Sequence, residues 1–94
     1  MVKRDSSLPD LGGQRVLITG ATGGLGQGIS RRFAAAGAHV AVHYRSSKAA
    51  ALAVVEELRE AGGEAEAVHA DLGVPGSAEK LVALAAKKLG GLDG

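Results

Sequence analysis

Four glycines within seven residues separate an apolar run from a helical pattern, and they constrain the fold more than any other feature. They lie between Gly20 and Gly26, after a β-branched run at 15–19. Glycine weakens the interior of a helix or strand, so this segment predicts a tight turn from a strand into a helix. Free amides and partial positive charge at the start of that helix predict a phosphate site. Gly26, inside the first helical turn, also lets the helix lie close to the strand.

Strand and helix patterns alternate along the rest of the chain. Apolar runs at 38–44 and 65–70 predict a second and a third strand, and helical patterns precede Gly37 and cover 48–61 and 78–89. Such alternation favours a parallel sheet with right-handed crossovers. We therefore expect an α/β fold of Rossmann type, the first β-α-β-α-β-α part of a doubly wound sheet with helices on both faces.

Local signals add detail to two of the helices. In the first helix, Leu25, Ile29 and Phe33 recur every four residues and therefore share one face. Before the second helix, a serine of the pair 46–47 can cap the first free amides, and Ser77 can do the same for the third. Both serine sites are expected to be N-cap positions.

Length and composition exclude several classes of protein. The chain has 94 residues and no Cys, which excludes a disulfide framework, a thiolate metal site and a cysteine nucleophile. No apolar run approaches the ~20 residues of a membrane span. Residues 1–10 are polar and lack the apolar core of a secretory signal. We expect them to form a flexible tail, and we expect the protein to be cytoplasmic.

Charge is unevenly distributed, although the net charge is only +1. Residues 1–55 hold seven basic and two acidic side chains, whereas residues 56–94 hold four basic and eight acidic ones. A basic N-terminal half can bind an anion. The alternative is that the uneven charge arises by chance and from solvated helix faces. The bases are not clustered with aromatic residues, so no nucleic-acid partner is expected.

Two phosphate-binding motifs can be compared with the glycine turn. Gly23 and Gly28 have the separation of a Walker A loop, and Ser30 is present, but Ile29 stands where that loop has Lys. Without this cation for the terminal phosphates, an NTPase is not expected. A dinucleotide-binding turn remains.

The string Thr19-Gly20-x-x-x-Gly24-x-Gly26 resembles the glycine motif of the short-chain dehydrogenase/reductase family. The same residues also fit the spacing of the family's extended branch, in which Gly23 replaces Gly24. The resemblance covers about residues 11–94, the expected N-terminal portion of a dinucleotide-binding domain. It is strengthened by Leu11-x-Gly13, Ala35-Ala36-Gly37-Ala38, Asp71-Leu72 and Gly91-Leu92-Asp93.

The residues after the second strand indicate which dinucleotide binds. In such sites an acid about 20 residues beyond the glycines holds the ribose of NAD, whereas an Arg accommodates the 2′-phosphate of NADP. Arg45 lies 19 residues after Gly26, with no Asp or Glu near it in the sequence. We expect the cofactor to be NADP(H); the alternative is that Arg45 is merely an exposed loop residue. This stretch also resembles simple members of the family, similar to 3-oxoacyl-carrier-protein reductases. Arg31 and Arg32 are expected on a solvated helix face.

The resemblance also implies the remaining cofactor contacts. The Asp71 carboxylate accepts a hydrogen bond from the adenine amino group, with the Leu72 backbone alongside; the alternative is an Asp that caps its loop. His39, His43 and His69 show no metal-ligand spacing and are expected to be strand or surface histidines. No catalytic or metal-binding residue is expected. The expected cofactor-binding residues are Gly20, Thr22, Gly23, Gly24, Leu25, Gly26, Tyr44, Arg45, Ser46, Asp71 and Leu72.

Tyr44-x-x-x-Lys48 has the spacing of the family's catalytic pair, but that pair acts from one helix, and Tyr44 closes a strand. The family places its catalytic Ser, Tyr and Lys further along the chain. We therefore expect this chain to be the cofactor-binding part of an NADPH-dependent reductase that acts on a small carbonyl substrate. The full-length protein is expected to be homo-oligomeric, and the 94 residues alone are expected to be inactive. The alternative is a nucleotide-binding module without catalysis.

The sheet edge beside the first strand is expected to be unpaired and apolar. This edge predicts that the isolated chain aggregates or is partly molten.

Overall fold

Three strands and three helices alternate along residues 12–94, the part of the chain that the computed structural model describes. The strands are parallel and lie in the order β1-β2-β3, which confirms the Rossmann-type arrangement. The expected tail at 1–10 and Leu11 lie outside the described residues. In chain order, the elements are β1 (Arg15–Ile18), α1 (Gly24–Ala35), β2 (His39–Tyr44), α2 (Lys48–Glu60), β3 (Glu64–His69) and α3 (Ser77–Leu89).

Helices cover both faces of the sheet, and each face has its own apolar core. On the face covered by α1 and α2, Val40 and Val42 of β2 share a core with Leu58. On the face covered by α3, Val68 of β3 shares a core with Leu81. The central strand β2 is thus buried on both sides, as expected for a strand of a parallel sheet that is apolar along its length.

Small residues, rather than the apolar residues spaced four apart, face the sheet in α1. The buried residues of this helix are Gly26, Ser30 and Ala34. In contrast, Leu25 is 80% exposed and Ile29 is 38% exposed. Leu25 and Ile29 of the apolar repeat are therefore reached by solvent in this structure, whereas Phe33, its third member, is half-buried and packs against the core beneath α1 and α2.

Gly26 makes the closest contact between α1 and the end of β1. A Cβ added at Gly26 would overlap the carbonyl oxygen of Gly20 and would lie 2.7 Å from the Cα of Ala21. Both obstacles are backbone atoms, which cannot move aside as a flexible side chain can. The buried hydroxyl of Ser30 donates to the Gly26 carbonyl oxygen at 2.8 Å, so no polar group is left unpaired there. The predicted close approach of helix and strand is confirmed.

The two serine caps have different outcomes. The hydroxyl of Ser47 accepts a hydrogen bond from the amide of Ala50 at 3.1 Å, which confirms the cap of α2. The cap predicted at Ser77 is wrong by one residue, since the N-cap of α3 is Gly76, with a φ of 83°. Ser77 is already helical, and within the described part of the chain its hydroxyl is buried without a hydrogen-bond partner.

At its outer edge, the sheet is covered by long basic side chains. Arg59 Nε donates to the carbonyl oxygen of Ala65 at 3.0 Å, and Lys88 Nζ donates to that of Ala67 at 2.9 Å. Both carbonyls belong to β3 and point away from β2. Carbonyls that already accept from these side chains are less available to a strand of another molecule, so these two side chains protect the edge.

The edge beside β1, expected to be unpaired, is contacted by the segment that follows α3. The amide of Asp93 donates to the Arg15 carbonyl oxygen at 2.7 Å, and the amide of Leu17 donates to the Gly94 carbonyl oxygen at 2.8 Å. Hydrogen bonds from the amide and guanidinium of Arg15 hold the pKa of the Asp93 carboxyl below its usual value. Part of the predicted open edge is therefore covered.

Removal of both donors at the β3 edge should promote self-association. The double variant Arg59→Ala/Lys88→Ala frees two carbonyls for pairing with another strand, so we expect a larger weight-average mass in sedimentation experiments. The variant Lys80→Ala/Lys87→Ala removes the same charge from exposed positions of α3. Equal association of the two variants would contradict a protective role for Arg59 and Lys88.

Glycine at position 26 should be required for stability, whereas glycine at position 28 should not. Gly26→Ala forces a backbone contact and should lower the free energy of unfolding by about 1–3 kcal/mol. A Cβ at Gly28, on the same helix, would meet nothing within 4 Å. Gly28→Ala should therefore raise the free energy of unfolding by about 0.5–1 kcal/mol through helix propensity. Urea unfolding of both variants tests this, and similar effects of the two changes would refute it.

Candidate functional site

The loops after the three strands meet at one edge of the sheet, because parallel strands have their carboxyl ends on the same side. Together they form a pocket of ≈ 410 Å³. Four of the predicted site residues are therefore brought together there, although they are distant in sequence. The pocket is lined by Thr19, Gly20, His43, Arg45, Asp71, Leu72 and Gly73.

The glycine turn connects β1 to the first residue of α1. Gly20 has a φ of +61°, a left-handed conformation that favours glycine. Its carbonyl oxygen accepts a hydrogen bond from the amide of Gly23 at 3.2 Å, which closes the turn. The side chain of Gln27 donates to the Thr22 carbonyl oxygen at 2.8 Å. The turn is thus closed by hydrogen bonds within the chain.

The start of α1 is open at the positions where a phosphate is predicted. The N-cap residue is Gly23, which has no side chain to cap the first amides, and the first turn contains no acid. Gly24 has no positive φ, and a Cβ added to it would meet nothing within 4 Å. Neither backbone conformation nor packing therefore requires glycine at 24. A phosphate group seated against the backbone amides of this turn would require it, so the site fits that ligand.

Arg45 and Asp71 lie side by side where the loops after β2 and β3 meet. Arg45 Nε is 3.5 Å from Asp71 Oδ1, and the Arg45 side chain is 75% exposed. The same oxygen accepts a hydrogen bond from the amide of Gly73 at 3.0 Å, so Asp71 has the loop-capping role considered as an alternative. No acid lies near Arg45 in the sequence, but the expectation that none lies near it in the folded chain is wrong, because Asp71 does. The reason is that β2 and β3 are neighbouring strands.

Tyr44 and Ser46 lie at the same end of the sheet but do not line the pocket, and the turn residues Thr22, Gly23, Gly24, Leu25 and Gly26 do not line it either. The Tyr44 ring is half-buried, packs against the core beneath α1 and α2, and has its centroid 5.3 Å from that of His69. Ser46 is exposed. Tyr44 ends β2 and Lys48 begins α2, so the two do not lie on one helix, in agreement with the prediction.

His43 is the residue of this edge whose role was not predicted. Its ring is buried, with Nδ1 3.0 Å from the amide nitrogen of Gly20 and Nε2 2.8 Å from the carbonyl oxygen of Ala70. It is a strand histidine, as expected, but it joins two loops of the pocket. A sequence signal existed: a polar side chain at the end of a strand buried on both faces needs hydrogen-bond partners.

Arg31 faces α2 and not the glycine turn. Its guanidinium forms an ion pair with Glu57, and both side chains are about half exposed. The hydrogen bond from Arg31 lowers the pKa of the Glu57 carboxyl, and the carboxylate in turn raises the pKa of Arg31. Arg31 therefore links the two helices at the surface.

Metal-binding clusters and helices able to span a membrane are both absent from residues 12–94. Among these residues, no three side chains of the metal-ligating types lie close enough together to hold an ion. No helix in the same range has both the length and the apolar character needed to cross a membrane.

Comparison with known proteins identifies the family. Residues 14–94 match the sequence model of the short chain dehydrogenase family. An uncharacterised oxidoreductase of Methylorubrum extorquens is 46% identical over 83 residues, which are 88% of this chain and 34% of that protein. The 3beta-hydroxysteroid dehydrogenase 1 of Eggerthella lenta is 40% identical over 84 residues, which are 89% of this chain and 32% of that protein.

A solved structure has the same fold. The short chain dehydrogenase of Burkholderia cenocepacia, crystallised in complex with NADP, superposes with a TM-score of 0.83 and is 40% identical in sequence. The match covers 89% of this chain and 34% of that one. The chain thus spans about a third of the length of the relatives it matches. From its glycine turn, its parallel sheet and these matches, we conclude that the chain belongs to the short-chain dehydrogenase family.

Proposed function

We propose that the protein is an NADPH-dependent oxidoreductase and that these 94 residues form its cofactor-binding part. The observation that carries the proposal is the open start of α1 at Gly24, where glycine has no structural reason within the chain. The relative from Burkholderia cenocepacia, which was crystallised with NADP, supports the choice of cofactor.

Each part of the proposed ligand has residues that fit it. The amides of Gly24, Leu25 and Gly26 suit the diphosphate, because they begin a helix and carry its partial positive charge. The exposed guanidinium of Arg45 suits a 2′-phosphate, to which it can donate two parallel hydrogen bonds. Asp71 suits the adenine amino group as an acceptor. The proposed contacts are completed by Gly20, Thr22, Gly23, Tyr44, Ser46 and Leu72.

The bound dinucleotide would supply the hydride chemistry that interconverts an alcohol and a carbonyl compound. This chain's own residues bind and orient that group. The closed turn at Gly20 fixes the amides of α1 in advance, so little ordering is needed when the ligand binds. Asp71 holds the Arg45 side chain at the pocket and also reduces the local positive charge. The preference for a 2′-phosphate is therefore carried by the Arg45 guanidinium.

For the whole protein, we propose a small ketone or secondary alcohol as substrate, as in reductases of the 3-oxoacyl type, and a homo-oligomeric state. The name of the Eggerthella lenta relative, a hydroxysteroid dehydrogenase, agrees with a secondary alcohol. The 94 residues alone are proposed to bind without turnover, because Tyr44 and Lys48 lie on different elements.

A nucleotide-binding module without catalysis is the second candidate. It is favoured by the positions of Tyr44, at the end of β2, and Lys48, at the start of α2, which do not form a catalytic pair on one helix. The two candidates differ in one measurable property. Measured on the whole protein, NADPH consumption with a panel of small ketones supports an enzyme, whereas binding of NADPH without consumption supports the module.

The variant Gly24→Ala should separate ligand binding from folding. Its Cβ lies in space that no protein atom occupies within 4 Å, so the free energy of unfolding should not fall. The methyl group fills the proposed phosphate position, and the NADPH dissociation constant should rise about tenfold or more. NADPH fluorescence titration measures this, with Gly28→Ala as the matched control. Unchanged affinity in Gly24→Ala would refute the proposed phosphate site.

The preference for NADPH over NADH should depend on Arg45. A charged hydrogen bond to the 2′-phosphate predicts about 10- to 100-fold tighter binding of NADPH. Arg45→Asp replaces attraction by repulsion and should reverse the order. Arg32→Asp makes the same change of charge on an exposed face of α1 and should preserve it. Equal preferences in the two variants would show that Arg45 does not select the cofactor.

A further inference from the structure

We propose that His43 is a positioning residue that couples the two halves of the cofactor site. The proposal rests on the proposed function, because that function assigns the diphosphate and the adenosine end of one ligand to the two loops that His43 joins. Nothing in the chain's sequence pattern assigns this role to His43.

Residue 43 holds the beginning of the glycine turn through both its side chain and its backbone. The amide of Gly20 donates to His43 Nδ1 at 3.0 Å. The next amide, of Ala21, donates to the His43 carbonyl oxygen at 3.3 Å. Because the Gly20 carbonyl oxygen closes the turn with Gly23 and lies against Gly26, the placement of α1 depends on this anchor.

The opposite side of the same ring holds the loop after β3. His43 Nε2 is 2.8 Å from the carbonyl oxygen of Ala70, the residue before Asp71. Gly20 and Ala70 belong to loops that follow β1 and β3, the two outer strands of the sheet. A single rigid ring on the central strand therefore sets the separation of the two loops.

The partners determine how the ring carries its proton. A backbone amide can only donate, so Nδ1 must accept from Gly20, and a carbonyl oxygen can only accept, so Nε2 must donate to Ala70. The ring is neutral in this arrangement, with its proton on Nε2. It is only 5% exposed, and both nitrogens are engaged. His43 therefore has no free nitrogen with which to exchange a proton with a substrate, and its role is positional.

Two conservative substitutions separate the two contacts. Asn places an amide oxygen near the position of Nδ1, so it can keep the contact to Gly20 while it loses the contact to Ala70. Gln places an amide nitrogen near the position of Nε2, so it can keep the contact to Ala70 while it loses the contact to Gly20. Each variant of His43 thus releases one loop and retains the other.

The two halves of the site can be probed with separate ligands. Inorganic diphosphate should occupy only the start of α1, and 2′-AMP only the loops with Arg45 and Asp71. His43→Gln should weaken diphosphate binding about three- to tenfold and leave 2′-AMP binding unchanged, whereas His43→Asn should do the reverse. Both variants should weaken NADPH binding. Calorimetric titration of the folded proteins measures the affinities, and the ¹⁵N shifts of the wild-type ring should report a proton on Nε2.

Control variants lie at the other end of the same strand. His39→Asn and His39→Gln change a half-exposed histidine that pairs with Glu64, far from the glycine turn, and should leave all three affinities unchanged. If the His43 variants fold and bind all three ligands as the wild type does, the coupling role is overturned while the proposed function stands. If the wild-type protein binds no NADPH, the proposed function fails and this inference fails with it. A loss of stability with no selective loss of ligand also overturns the inference.

Discussion

The contact between the backbone of α1 and the backbone at the end of β1 determines the arrangement of the site. It is possible because Gly26 has no Cβ, and because Ser30 and Ala34, which continue the same face, are small. The contact brings the first amides of α1 directly to the carboxyl end of the sheet. Those amides, together with the space above Gly24, form the proposed anion-binding part of the site.

The remaining parts of the site follow from the strand order. With β2 between β1 and β3, the loops that follow the three strands lie next to one another. His43 on the central strand links the outer loops, and the pair of Arg45 and Asp71 lies beside it. The fold thus brings together Arg45, proposed to select a 2′-phosphate, and Asp71, proposed to accept from adenine.

The sequence predicted the features that depend on local pattern. Alternation and apolar runs predicted the six elements, and the glycine spacing predicted the turn and its close helix. It did not predict contacts that depend on the register between strands. The residue pairs Leu17 with Ala41 and Tyr44 with His69 decide which side chains meet, and such pairing has no local signal. The identity of the two partners of His43 and the approach of Asp71 to Arg45 were missed for this reason.

Two other differences have local physical causes. Leu25, Ile29 and Phe33 were expected to share one face of α1, but the glycine contact turns small residues toward the sheet, so Leu25 and Ile29 are exposed and only Phe33 packs against the core. The N-cap of α3 shifted by one residue because Gly76 adopts the left-handed conformation at the cap. In both cases a glycine determined the geometry, and the side-chain pattern around it did not.

Backbone amide spectra recorded during an NADPH titration test the central claim most directly. If the start of α1 and the loops after β2 and β3 form one dinucleotide site, the largest shifts should occur at residues 20–26, 45–46 and 71–73. The amides of Gly63 and Glu64, at the opposite end of the sheet, should remain unchanged. Shifts centred on that opposite end, or the absence of shifts at residues 20–26, would contradict the account.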